Sequence, residues 1–311
     1  MPTTQSRQPG QFVDLASLGL KEASAESPDT TLQRQAVHMS RPSGVGISVQ
    51  EFSRACLIRL IDYPEMPLRI STRETIKAGR SALLVKAELP VGSRMVPVAY
   101  KRISRHNWLK KLTALPRTNR AARAWQMGHA FLARGVPTPE PLAAIVPRRY
   151  EIYRPSYLAL EWIDGSLNLH AFCQDAAQFD GRVQLSRLSR AARALARALG
   201  RMHAENISHR DLKPSNLLLV DHANKTSAYV IDLDGAEIRS QIPPALRLRN
   251  LARLIVGLES CPSVSRSHCL RFLKVYLNVA DDSDSNWKTV WRELLTESEH
   301  LAARRKRRAK S

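Results

Sequence analysis

A carboxylate, an ammonium group, an amide and a second carboxylate occur in this chain at a spacing that phosphoryl transfer can use. His209-Arg210-Asp211-Leu212-Lys213-Pro214-Ser215-Asn216 is followed, sixteen residues after Asn216, by Asp232 in Ile231-Asp232-Leu233-Asp234-Gly235. Moving a phosphoryl group onto a hydroxyl needs a base for the proton, cations for the charge on the transferring oxygens and hard oxygen ligands for a divalent metal. Asp211 is the candidate base, and Lys213, two residues on, can reach the transferring phosphate. Asn216 and Asp232 are the candidate magnesium ligands. Asp234, just before Gly235, is the alternative ligand; Asp232 is preferred because it follows the β-branched strand residues Val230 and Ile231. His209 and Arg210 read as scaffold.

These groups need rigid elements behind them. From Arg182 to His203, Leu185, Leu188, Ala192, Leu195, Leu199 and Met202 recur at three and four residues, which predicts a long helix with one buried stripe running into the Asp211 loop. Leu217–Val220 and Ala228–Leu233 read as a short hairpin, and Leu246–Leu258 and His268–Val279 as helices. Upstream, Ile70–Ile76, Ser81–Leu89 and Met95–Ile103 alternate polar and apolar residues around Gly79 and Gly92, which predicts a three-stranded antiparallel meander. Asn119–Arg134 reads as a helix ending at Gly135, Val136–Pro139 as strand-favouring and Tyr157–Ile163 as another strand. Glu51–Ile61 is a short amphipathic stretch, either helix or strand.

The nucleotide phosphates require cations and close backbone approach. Lys101, in Val98-Ala99-Tyr100-Lys101 on the third strand, is the candidate phosphate lysine. The turn at Lys77-Ala78-Gly79-Arg80-Ser81 offers one glycine and the Ser81 hydroxyl, and an ordinary hairpin turn explains it equally well. Glu161 lies in Leu158-Ala159-Leu160-Glu161-Trp162-Ile163, which resembles a connection between two lobes whose backbone would meet adenine; a plain buried strand explains its hydrophobicity equally well. From Arg102 to Pro139 there is no Asp or Glu but eight Lys and Arg, so the next helix offers no carboxylate to pair with Lys101, and Gln126 is the nearest isostere. After Gly235 only about ten residues precede the next helix, too few for a long platform that would hold a protein substrate.

Composition sets the remaining bounds. Against 28 Asp and Glu stand 48 Lys and Arg, a net charge of +20 that favours polyanionic partners. No helix-turn-helix, zinc or RNA-binding signature accompanies the charge, so nucleic acid is not expected. The four cysteines contain no C-x-x-C pair and suggest reduced core thiols rather than a disulfide or zinc framework. No run approaches the roughly 18 apolar residues of a membrane span. Residues 1–45 are Ser-, Thr-, Gln- and Pro-rich and are expected to be mostly disordered, and the like-charge block within 301–311 is expected to be a solvated basic tail.

The Asp211 loop with Ile231-Asp232-Leu233-Asp234-Gly235 resembles the catalytic and metal loops of protein kinases. Tyr100-Lys101-Arg102, Ala121-Ala122-Arg123-Ala124-Trp125, Gly135-Val136-Pro137-Thr138-Pro139-Glu140-Pro141-Leu142 and Arg249-Asn250-Leu251-Ala252-Arg253-Leu254 narrow the resemblance to the lipopolysaccharide core heptose and Kdo kinases. That resemblance implies an α+β, bilobal protein-kinase-like fold: a small antiparallel-sheet N-lobe over about 46–156, a hinge over 157–165 and a mainly helical C-lobe over 166–300. It implies ATP- and magnesium-dependent phosphorylation of a sugar hydroxyl in the lipopolysaccharide inner core, at the cytoplasmic face of the inner membrane. The excess charge would then serve an anionic glycolipid substrate and an anionic membrane surface. A protein Ser/Thr kinase and a nucleotide-binding pseudokinase scaffold are the alternatives.

Overall fold

Alternating polar and apolar residues across 74–78, 82–91 and 94–103 form strands with one face in a core and the other against a second layer. The computed structural model describes residues 36–70, 74–79, 82–104, 119–148, 154–222, 225–280 and 286–310. The chain divides into two compact units, one running to Trp125 and taking in Pro141–Glu161, the other made of Gln126–Glu140 and everything from Trp162.

In chain order the first unit contains β1 (Val37–Arg41), β2 (Gly44–Ser48), α1 (Arg54–Asp62), the single turn α2 (Met66–Arg69), β3 (Glu74–Ala78), β4 (Ala82–Val91), β5 (Arg94–Ile103), the start of α3 (Arg120–Ala133), β6 (Pro141–Val146) and β7 (Ser156–Glu161). The strands form one sheet ordered β1-β2-β6-β7-β5-β4-β3, every pair antiparallel. Along β5, Val98 and Tyr100 are buried with Leu57, Leu60 and Ile61 of α1 on one face. Ile103 lies on the other face with Leu158, Ala121, Ala122 and Trp125. The expected meander is therefore present as β3-β4-β5, inside a wider sheet.

The second unit adds β8 (Leu167–Asn168), α4 (Leu169–Ala176), α5 (Gly181–Ala204), β9 (Ile207–His209), β10 (Leu217–His222), β11 (Lys225–Val230), β12 (Ala236–Ile238), α6 (Pro244–Leu258), α7 (Arg266–Val279) and α8 (Trp287–Lys310). Asp180 caps α5 by accepting from the backbone N–H groups of Arg182 and Val183, both at 3.0 Å. The stripe Leu188, Leu195, Leu199 and Met202 packs with Leu251 and Leu254 of α6 and with Leu273 and Leu277 of α7. Arg187 and Arg190 on α5 both bond to Asp221, tying the β10–β11 hairpin to the helix.

Three sequence expectations differ from the structure. Within residues 1–45, β1 and the first residues of β2 are ordered, because β1 pairs with β2 and β2 with β6, about a hundred residues downstream; residues 1–35 lie outside the described set. Residues 301–310 continue α8 instead of forming a separate tail, because Trp287, Val290, Trp291, Leu294 and Leu301 keep a helical stripe that packs on the second unit's core. Residues 126–140, expected in the sheet-bearing half, belong to the second unit. There Gly135 takes φ +68 to end α3, Val136 is fully buried, and Pro137–Pro139 form no strand. Pro137 O instead accepts from Val230 N at 2.9 Å, and the Thr138 hydroxyl donates to Val230 O at 2.7 Å. The division at Glu161 and Trp162 falls inside the stretch read as a hinge.

Candidate active site

Helix α5 delivers the chain to Asn206, whose left-handed backbone (φ 55) turns it into β9. The Asn206 side chain accepts from Ile242 N at 3.1 Å, fixing that turn. Strand β9 is only three residues long and pairs with β12, His209 opposite Ala236. A ladder this short cannot hold a loop by itself, and side chains supply the rest.

His209 is completely buried at the centre of the site. One ring nitrogen, Nδ1, accepts from the backbone N–H of Asp211 at 3.3 Å, and the other, Nε2, lies 3.2 Å from Ile231 O. A carbonyl only accepts, so the proton sits on Nε2 and the imidazole is neutral. Burial holds the imidazole below the ordinary histidine range, which keeps this tautomer in place. One ring thus spans the loop of Asp211 and the strand end that leads to Asp232.

Asn216 makes the second brace. Its amide donates to Asp211 O at 2.8 Å and to Asp211 Oδ2 at 3.2 Å, while its own backbone carbonyl accepts from Ile231 N at 3.0 Å. Lys213 Nζ reaches the same Asp211 Oδ2 at 2.5 Å. Asp211 and Lys213 remain open to solvent, at 55% and 40% exposure, so both can meet a substrate. Asp232 has a left-handed backbone, φ 65 and ψ 50, that turns β11 into the 3₁₀ turn Leu233–Gly235. For an aspartate this conformation costs about 1 kcal/mol or more, held here by the bonds to Val230 and Ile231 just before it.

The structure therefore gathers Asp211, Lys213 and Asn216 by direct bonds and joins Asp232 to them through His209 and Ile231. Gly257 of α6 completes the support. A Cβ there would stand 2.3 Å from Pro214 Cδ, so only glycine lets this helix lie against the turn Pro214–Asn216. The donor set suits magnesium. With the Asn216 amide nitrogen committed to Asp211, the amide oxygen is the end left to face a cation, and Asp232 adds a carboxylate. Among the described residues no three His, Cys, Asp or Glu side chains form a metal cluster. Magnesium held by one or two protein oxygens plus substrate phosphates needs no such cluster.

The remaining candidates lie in the first unit. Lys101 is held between Leu84 of β4 and Leu158 of β7, on the sheet face that carries Ile103 and Leu158 and the start of α3. Glu65 lies on the opposite face, where it accepts from Tyr157 at 2.5 Å and from Arg102 at 3.4 Å. It therefore serves Tyr157 and Arg102 and does not replace the missing helix glutamate. Glu161 pairs with Val98 and so points to the face opposite Lys101; the two side chains are not brought together. Gly79 N donates to Ala82 O at 3.0 Å, closing the turn between β3 and β4. Among the described residues, a Cβ on Gly79 would meet that oxygen alone, at 3.6 Å, an ordinary contact. Ser81 lies outside the described residues.

Sequence reasoning singled out no role for Thr138, Asn250, Arg253 or Gly257. Thr138 sits in the G-V-P-T-P element and Asn250 and Arg253 in the N-L-A-R-L element, so the signal was present without its geometry.

The profile of the lipopolysaccharide kinase (Kdo/WaaP) family matches residues 96–276, more than half of the chain. The chain belongs to the lipopolysaccharide kinase family. It is accordingly a phosphotransferase, a sugar kinase of the lipopolysaccharide core. Among solved structures, that of "WaaP in complex with acyl carrier protein" is similar to this kinase in fold, with a TM-score of 0.52, 23% identity, and coverage of 74% of this chain and 88% of that one. No curated protein sequence matches the kinase. Among its described residues no helix is long and apolar enough to cross a membrane.

Proposed function

We propose that this kinase transfers the γ-phosphoryl group of ATP to a sugar hydroxyl of the lipopolysaccharide inner core, with Asp211 as general base. The reading rests on one observation: an exposed carboxylate whose backbone and side chain are both fixed by buried or bridging partners. Asp211 accepts the hydroxyl proton as the acceptor oxygen bonds to phosphorus and the bond to the bridging oxygen of ADP breaks. Lys213 shares Asp211 Oδ2 and carries its charge to the transferring oxygens. Asn216 and Asp232 hold magnesium, which when bound neutralises charge on the phosphates. Lys101 binds phosphate, the Gly79–Ser81 turn covers it, and the backbone at Glu161 meets the adenine within a bilobal, kinase-like arrangement.

The acceptor is an anionic glycolipid at the cytoplasmic face of the inner membrane, and basic side chains such as Arg304, Arg305, Lys306 and Arg307, exposed on α8, favour that surface. The test is transfer from labelled ATP, with magnesium, to dephosphorylated core glycolipid, beside Asp211→Ala. Label on glycolipid that vanishes in the variant is the expected result. Label on protein alone, or ATP binding without turnover in the unaltered enzyme, would sink the proposal. Deleting the end of α8 should weaken co-sedimentation with anionic liposomes at low salt; equal binding would remove the membrane role of that helix.

A further inference from the structure

Arg253 of the second unit is a partly buried cation near the catalytic loop. It lies on α6 one turn before Gly257, which touches Pro214, three residues beyond Asp211. At about 1.5 Å per residue, four residues place it roughly 6 Å along the helix from that contact, on the side of the catalytic loop. It is half-buried, and its NH1 donates to Asn250 Oδ1 at 3.2 Å. Among the described residues no carboxylate forms an ion pair with it, whereas Arg187, Arg190 and Arg210 each have one.

The anchor of Arg253 is itself buried. The Asn250 amide nitrogen donates to Ser208 Oγ at 3.0 Å and lies 3.2 Å from His203 Nε2. An amide N–H only donates, so Nε2 accepts and His203 Nδ1 carries a proton toward Tyr276 Oη, 2.7 Å away. Asn250 and His203 are fully buried, so the amide cannot turn and the Arg253 guanidinium is aimed. Burial, then Arg249, works against its charge, while Asp211 and Glu297 favour it. A cation desolvated and aimed at this expense lacks a close anion. Arg249, one turn away and bonded to Glu297 of α8 at 3.4 Å, and Arg305 further along α8 add positive charge around Arg253.

We infer that Arg253, supported by Arg249 and Arg305, forms an acceptor subsite that binds an anionic substituent, phosphate or carboxylate, on the sugar presented to Asp211. The inference deepens the glycolipid-kinase reading and rests on it for the identity of the acceptor. It also gives α8 a task, since its packing on α6 brings Arg305 to the group.

Two measurements test it in the full chain. In turnover with ATP, magnesium and core glycolipid, Arg253→Gln should raise the KM for glycolipid about ten- to a hundredfold and leave the KM for ATP unchanged. Arg253→Lys should recover part of that loss. The penalty of Arg253→Gln should disappear on glycolipid stripped of its phosphates, or on glycolipid with reduced carboxylates, and whichever abolishes it identifies the group. A raised KM for ATP with an unchanged KM for glycolipid overturns the inference.

The second measurement needs no turnover. With a non-hydrolysable ATP analogue and magnesium filling the nucleotide site, inorganic phosphate should slow phenylglyoxal modification of Arg253 several-fold, read by mass spectrometry. Arg197, exposed on α5, should be unaffected. Equal modification of Arg253 with and without phosphate overturns the anion site. Protection of Arg253 in an enzyme that phosphorylates no glycolipid upholds the anion site and sinks the acceptor proposed above.

Discussion

The two units hold their functional residues by different means. Lys101 is placed on a backbone ladder, with β4 on one side and β7 on the other. Asp211 has almost no ladder, since β9 is three residues long. It is placed by side chains: the His209 ring, the Asn216 amide, the Thr138 hydroxyl behind Val230, and the contact of Gly257 with Pro214. A ladder keeps its geometry when one side chain changes, whereas a side-chain network loses a support with each substitution. Substitutions that support Asp211 should therefore disturb geometry and stability together, and those around Lys101 only ligand binding.

The sharpest break of this comparison would come from the two charged groups themselves. Asp211→Ala should lower kcat by about a hundred- to ten-thousandfold with little change in melting temperature, since the carboxylate is exposed. Lys101→Met should weaken nucleotide binding, read by calorimetry, with stability also preserved by the ladder. A drop in melting temperature for Lys101→Met as large as for the supporting residues would erase the distinction.

Acid should act on the network next. His203 is pulled down to about 3 by burial, against 6.5 in the unfolded chain. As pH falls, the unfolded chain therefore binds the proton first, so stability is full above about pH 6.5 and lost progressively below it. Between pH 6.5 and 5 the loss from this group is about 2 kcal/mol, checked by urea unfolding at the two pH values. His209 shifts in the same direction and adds to it. His203→Gln should flatten the dependence.

Gly257→Ala forces a methyl group against Pro214 and should cost about 1–3 kcal/mol in urea unfolding, with kcat falling as the loop shifts. Thr138→Val removes the bond to Val230 O and should cost about 1 kcal/mol while raising the magnesium concentration needed for half-maximal rate. Gly79→Ala, in the first unit, should change stability by less than about 0.5 kcal/mol, because among the described residues its Cβ meets only ordinary contact. A larger effect confined to the KM for ATP would mark close phosphate approach at that turn.

The legibility of the chain follows the same division. The meander β3-β4-β5 and helices α3, α5, α6 and α7 were readable because period and turn residues are local signals. The pair β1–β2 was not, because Ser, Pro and Gly dominate residues 40–46 and the partner that buries Ile47 and Ser48 is remote in sequence. Helix α8 was overlooked because its basic end hid the stripe from Trp287 to Leu301. At the site, residue types and spacing were enough to pick out Asp211, Lys213 and Asn216, which the structure joins by direct bonds. Thr138 and Gly257 act through a carbonyl more than ninety residues away and a close approach between elements, and neither leaves a trace in local pattern.

The strand order β1-β2-β6-β7-β5-β4-β3 also bears on synthesis of the chain. The hairpin β1–β2 and the meander β3–β5 emerge from the ribosome first, but β6 and β7, which lie between them, arrive only with residues 141–161. Until then the growing chain carries two fragments with open edges and no shared ladder, a state prone to pairing with the wrong partner. Truncation between Ile103 and Pro141 would remove the centre of the sheet while leaving both of its flanks.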